Sequence, residues 1–144
     1  MNRTRLKDVT IGLIRLACIV FITGCATLQK DAGTSPGKVC VVDLKDAAEY
    51  QQLLNGKPQT HGMRSGRVYL KPGESCGSHS TKGHEELLVF LAGRGVCLIG
   101  EDQAPFEVGE GQVCYIPPCT THNNKNTGSQ PLIYIYCVVP VFEE

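Results

Sequence analysis

The chain has 144 residues with 42% apolar and 19% charged side chains, which leaves room for one domain with a modest core and excludes wholesale disorder. Its formal charge is zero, but residues 1–24 carry Arg3, Arg5, Lys7 and Arg15 against Asp8, so the remainder holds ten basic and thirteen acidic residues, a net of −3. Such a mildly acidic domain lacks the basic footprint that nucleic acid requires, and no nucleic-acid partner is expected.

The first 25 residues, MNRTRLKDVTIGLIRLACIVFITGC, have a basic start, an apolar stretch and small residues before a cysteine, the layout of a sorting signal. Arg15 interrupts the apolar part, and the remaining LACIVFIT is far shorter than the roughly 20 residues that span a bilayer. The closing tetrad Ile22-Thr23-Gly24-Cys25 resembles a bacterial lipobox. That resemblance implies cleavage after residue 24, a diacylglyceryl group on the sulfur of Cys25 and acylation of the new amine, a set of chains that anchors a protein firmly. It also implies a cell-envelope address on the periplasmic side, with Ala26 in place of an aspartate pointing to the outer membrane. A plain signal peptide or an uncleaved anchor is the alternative. Outside the cytoplasm Cys40, Cys76, Cys97, Cys114, Cys119 and Cys137 can form disulfides, and the sequence does not choose among the fifteen pairings. Burial as small apolar side chains is the competing expectation, strongest for Cys97, Cys114 and Cys137, which lie within apolar runs.

Residues 26–37, ATLQKDAGTSPG, read as a flexible tether, so the expected organisation is a signal over 1–24, a tether over 25–37 and one domain over 38–144. Lys38–Leu44 is rich in β-branched residues and predicts a first strand. Asp46–Leu54 places Ala47, Tyr50 and Leu54 at helical spacing before Asn55-Gly56 and predicts one short helix. From there the chain reads as strands split by turns. Gly66–Lys71 precedes Pro72-Gly73, and Leu87–Ala92 precedes the hairpin signal Gly93-Arg94-Gly95. Val96–Ile99, Phe106–Val108 and Val113–Ile116 follow, the last ending at Pro117-Pro118. A polar loop, TTHNNKNTGSQ, then leads to a final strand over Leu132–Val141. Many short strands with glycine and proline punctuation predict an all-β sandwich or barrel. Along Leu87–Ala92 both faces are apolar, Glu86, Leu88 and Phe90 on one and Leu87, Val89 and Leu91 on the other. A strand apolar on both sides needs outer cover, which the N-terminal strand and helix or the second subunit of a homodimer could supply.

The chemistry concentrates in GESCGSHSTKGHEELLVFLAG, residues 73–93, where His79, His84 and Glu86 fall within eight residues just before a strand. Imidazoles and a carboxylate on a rigid sheet are what a metal site needs. Two blocks here resemble the cupin family. The first runs Gly73, five residues, His79-x-Thr81, four residues, Glu86, six residues, Gly93, and the second runs Gly111, five residues, Pro117-x-Cys119, two residues, His122, three residues, Asn126. The resemblance covers the chain from about residue 66 onward and implies a single-domain antiparallel jelly-roll barrel. Two positions depart from the family pattern: Thr81 stands where a second histidine is expected, and Cys119 where a glycine is expected. The resemblance implies metal ligands at His79, Glu86 and His122, with the fourth missing. If the backbone is extended there, His84 shares a side with Glu86 and is weighed as the replacement against a loop residue at the barrel mouth. Two imidazoles and a carboxylate suit a divalent metal with open positions, zinc, manganese, copper or iron.

Cys76 and Cys119 are weaker ligand candidates, read first as disulfide or turn residues, and His61 as an exposed loop residue. Tyr69, Tyr115 and Phe90 are candidates to line a ligand pocket, whereas Tyr134 and Tyr136 read as packing. Cupins span many activities, so the fold does not choose among them. The expected function is a lipid-anchored envelope cupin holding a divalent metal and a small-molecule ligand in its barrel. A metal-dependent oxidoreductase of dioxygenase type or an isomerase is the second reading, and a metal-free structural domain, given Thr81, the third.

Overall fold

The structure, a computed structural model, describes residues 37–141, so the signal over 1–24, Cys25 and the tether as far as residue 36 lie outside the described residues. The described residues form nine strands: β1 (Gln51–Asn55), β2 (Arg64–Leu70), β3 (His79–Ser80), β4 (His84–Ala92), β5 (Arg94–Ile99), β6 (Ala104–Gly109), β7 (Val113–Ile116), β8 (Thr121–Asn126) and β9 (Leu132–Pro140). They form a five-stranded sheet in the order β1-β2-β9-β4-β7 and a four-stranded sheet in the order β3-β8-β5-β6, with every pairing antiparallel. The two sheets close as an all-β jelly-roll barrel around Leu70, Leu88, Phe90, Cys97, Val108, Ile116, Leu132 and Tyr134. The alternation read in β4 holds: Glu86, Leu88 and Phe90 are buried, while Leu87 and Leu91 face outward.

The β4–β5 hairpin turns at Gly93, whose φ is +82°. A Cβ there would stand 2.2 Å from the Pro131 carbonyl oxygen, so the position needs glycine for both conformation and space.

Three expected elements differ. Among the described residues there is no helix, and the stretch expected as helical over Asp46–Leu54 ends in an edge strand instead. Its helical spacing is only a weak preference, which the open edge of β2 overrides by offering a ladder from Gln51↔Arg67 to Asn55↔Arg64. The buried guanidinium of Arg67 also donates to the carbonyls of Ala47 and Glu49, at 2.9 and 3.3 Å, taking acceptors that a helix would have used internally. Second, Lys38–Leu44 forms no strand, and Val39 is 97% exposed. Third, the polar loop is largely a strand. β8 turns His122, Asn124 and Asn126 into the barrel, so its polar pattern reflects an interior of hydrogen-bonding groups rather than a solvated turn. The segment before β1 covers the outside of the five-stranded sheet only at β2, where Arg67 is buried against Ala47 and Glu49; over β4 and β7 Leu87 and Tyr115 remain 40% and 58% exposed.

Candidate metal centre

Three strands bring the site together. β3 pairs with β8 so that His79 stands directly opposite His122, and β4 supplies Glu86 from the facing sheet. One ligand atom from each of His79, Glu86 and His122 lies within 4.8 Å of the others. The imidazole rings of His79 and His122 are 4.2 Å apart between centroids and tilted by 58°. Nδ1 of His79 lies 2.9 Å from the Gly77 carbonyl oxygen, so a proton there is donated to that carbonyl and Nε2 keeps its lone pair for the site.

His122 and Glu86 are both buried, 1% and 6% exposed, and His122 Nε2 is 3.3 Å from Glu86 Oε2. Despite that proximity, neither ring nitrogen of His122 makes a hydrogen bond. A buried imidazole without partners, facing a buried carboxylate, carries a desolvation cost of about 1–3 kcal/mol. A cation bound between the three groups removes that cost. The donor set therefore fits a divalent metal, with two nitrogens and one oxygen and room for further ligands.

Thr81 does not complete this set. Its hydroxyl donates to the Pro117 carbonyl at 2.9 Å and accepts from the Thr120 backbone N–H at 3.0 Å, while its own N–H reaches the Thr120 carbonyl at 3.1 Å. The position is spent on fastening the β7–β8 connection. His84, first residue of β4 and paired with Pro140, shares the strand face of Glu86 but is not part of the cluster. Cys119 occupies the family's glycine position with φ at +56°, a left-handed conformation, and its N–H reaches the Lys82 carbonyl at 2.7 Å.

Beside the cluster lies a cavity of about 420 Å³ lined by residues that include His79, Glu86, Cys76, Asn124, Tyr134 and Arg64. Tyr69 and Tyr115, expected to line a ligand pocket, are not among the residues lining this cavity. Tyr69 pairs with Ile133 and Tyr115 with Leu87 on the outer face, and the Tyr115 hydroxyl donates to Glu85 at 3.2 Å. Tyr134 and Tyr136, one residue out of step with Ile133 and Ile135, pack in and against the core as expected and line the cavity as well. Strand parity could not be assigned before the register was known, and a one-residue slip exchanges the faces. Phe90 lies in the core against Tyr134, with ring centroids 5.4 Å apart, and does not line the cavity.

The six described cysteines are free. Cys97 is fully buried and donates to Asn124 Oδ1 at 2.8 Å, and the Cys76 sulfur lies 3.5 Å from Asn123 Oδ1. Cys97 and Cys114 also influence each other: the Cys97 thiol beside it lowers the Cys114 thiol to about 7, while Cys114 and burial push Cys97 up. Asn126 is satisfied on every side. Its amide donates to the Leu70 and Gln130 carbonyls, at 2.9 and 2.8 Å, and its oxygen accepts from the Gly128 N–H at 2.9 Å. Arg64, Cys76, Asn124, Tyr134 and Tyr136 were not singled out for the cavity from the sequence, because only pairing across strands brings them to one wall.

Comparison with known proteins agrees with this geometry. The family described as Cupin domain matches residues 66–139. An oxalate-binding protein of Thermotoga maritima is 30% identical over 96 residues, covering 66% of this chain and 78% of that protein. An uncharacterised protein of Methanocaldococcus jannaschii is 40% identical over 58 residues, a match spanning 40% of this chain and only 45% of the relative. A cupin family protein of double-stranded β-helix fold from the same archaeon superposes with a TM-score of 0.60 at 23% identity, covering 72% of this chain and 94% of that one, a likeness of fold. With the family matched over that span and the barrel in place, the chain belongs to the cupin family.

Proposed function

We propose that the protein is a lipid-anchored cell-envelope cupin that holds a divalent metal through His79, Glu86 and His122 and binds a small-molecule ligand in the adjoining cavity. The observation that carries the metal reading is the convergence of those three groups around a buried imidazole with no hydrogen-bond partner. When bound, the metal supplies Lewis acidity and open positions for ligand oxygen. The chain's own residues do the rest. His79 is oriented by Gly77, Glu86 contributes the negative charge, and β4, β7 and β9 keep water from the floor of the site through Leu88, Ile116 and Tyr134.

Binding is favoured over turnover as an oxidoreductase or isomerase because, among the described residues lining the cavity, no carboxylate or imidazole stands outside the cluster to act as a separate acid or base. The Thermotoga maritima relative, named as an oxalate-binding protein, supports the same choice. The envelope address and the anchor at Cys25 rest on the signal over 1–24. A homodimer through the apolar outer face of the five-stranded sheet belongs to the same proposal, motivated by the exposed Leu87, Leu91, Val113 and Tyr115.

Metal content tests the centre. Full-length protein purified in detergent and dialysed against zinc or manganese is expected to retain about one ion per chain, and His79→Ala and His122→Ala each to lose it. Stoichiometry preserved in both variants would show that the ion sits elsewhere. Radiolabelled palmitate incorporated into the native chain but not into Cys25→Ser tests the anchor, and equal labelling of the two would refute it.

A further inference from the structure

The cavity has a second pole that the metal site does not use. In the five-stranded sheet Glu86 stands opposite Val138, and Val138 opposite Arg64. Directly paired residues share a face, so the three make one row across β4, β9 and β2, and all three line the cavity. The ends of that row are two strand spacings apart, about 10 Å between Cα positions. One end is the carboxylate of the metal cluster. The other is a guanidinium at the rim.

β2 carries two arginines, and they are treated differently. Arg67 lies on the opposite face, is buried, and spends its donors on the Ala47 and Glu49 carbonyls. Arg64 is exposed and makes no ion pair among the described residues, where the sole pairing of a carboxylate with a basic side chain is that of Glu86 with His122. Its stem is nonetheless placed. A Cβ on Gly56 would stand 3.1 Å from Arg64 Cγ and 3.6 Å from Cδ, so the missing side chain leaves the space in which the arginine lies. The neighbouring polar groups are already occupied. The Tyr136 hydroxyl is 2.9 Å from that of Tyr50, which donates to Gln52 Oε1 at 2.6 Å, and the Gln52 amide donates to the carbonyls of Leu54 and Ser65. Arg64 is the one cation among the lining residues.

We infer that Arg64 is a carboxylate anchor and that the ligand is a short-chain organic acid, its oxygen-bearing head toward His79, Glu86 and His122 and its terminal carboxylate toward Arg64. The head end rests on the metal reading above; the tail end rests on Arg64 alone. A guanidinium presents paired N–H donors that match the two oxygens of a carboxylate. A phosphoryl dianion would call for more positive charge than one guanidinium supplies in a cavity that also holds Glu86. Two carbons are too few to reach both poles. A chain of about four or five carbons spans the row once the reach of the side chains at each end is subtracted.

The test is calorimetric titration of the full-length, metal-loaded protein with oxalate, succinate, glutarate, butyrate and inorganic phosphate, alongside metal analysis of each preparation. Succinate or glutarate is expected to bind at least about tenfold more tightly than butyrate. Arg64→Gln should remove that advantage and Arg64→Lys restore part of it, with metal content unchanged in both. A dicarboxylate affinity within about twofold of native in Arg64→Gln overturns the anchor, as does native protein that takes metal but binds no dicarboxylate, or that binds phosphate alone. A chain that takes no metal yet binds glutarate through Arg64 keeps the anchor and overturns the metal reading instead.

Discussion

Two residues sit where the family pattern expects others, and each has a physical consequence. Cys119 is held in the left-handed region, which costs a side chain with a Cβ about 1–2 kcal/mol and costs glycine nothing. Cys119→Gly is therefore expected to stabilise the domain by about 1 kcal/mol, a gain partly offset by the freer unfolded chain. Chemical denaturation checks it, and a loss of stability would show that the thiol contributes contacts of its own. Thr81 is the opposite case. From the sequence, restoring histidine there looks like repairing a ligand, but its hydroxyl and N–H tie the β7–β8 connection through Pro117 and Thr120. Thr81→His breaks both side-chain bonds and is expected to cost about 1–3 kcal/mol with no gain in metal affinity. Tighter metal binding in a variant of native stability would contradict this.

At the scale of the element, β8 explains why hydrophobic pattern failed. A strand is normally found by alternating apolar residues, but here the inward positions are His122, Asn124 and Asn126, so the stretch reads as a loop. Its burial is sustained by hydrogen bonds. Asn126 alone holds Leu70, Gln130 and Gly128, joining the end of β2 to the β8–β9 turn. Asn126→Ala takes the amide donor from the buried Leu70 carbonyl and from the Gln130 carbonyl, while the Gly128 N–H keeps the Arg94 carbonyl at 3.2 Å, and it is expected to destabilise the fold by about 1–3 kcal/mol, read by thermal and urea unfolding. A change below about 0.5 kcal/mol would mean that water replaces the amide without penalty. β1 teaches the complementary lesson. Its residues favour a helix locally, yet the open edge of β2 and the guanidinium of Arg67 draw the chain into extended pairing. By contrast β7 and β9 are legible to within one residue of their observed limits, and β4 from Leu87 onward, because their apolar content is high and their ends carry glycine or proline.

For the molecule as a whole, the outer face of the five-stranded sheet is the feature the monomer leaves unresolved. Leu87, Leu91, Val113 and Tyr115 are exposed on it, and Lys38–Leu44 supplies no strand to cover it. The proposed homodimer predicts a two-chain mass by light scattering at micromolar concentration, and Leu87→Glu is expected to yield monomers that remain folded. A native protein that is monomeric throughout that range would rule out the arrangement. The site's ingredients were legible in the chain: His79, Glu86 and His122 at family spacing, in a sequence whose short strands and turn residues pointed to an all-β sandwich or barrel, with the barrel implied by the family resemblance. That much follows from local chemistry, because turns need particular residues and metal donors are few in kind. What faced the cavity was decided only by tertiary pairing. Register placed Tyr134 and Tyr136 inside and Tyr69 and Tyr115 outside, turned Thr81 to the backbone, and set Arg64 in one row with Glu86. The reason is the period of two: a side chain's face depends on how strands distant in sequence align, and no local pattern records that alignment.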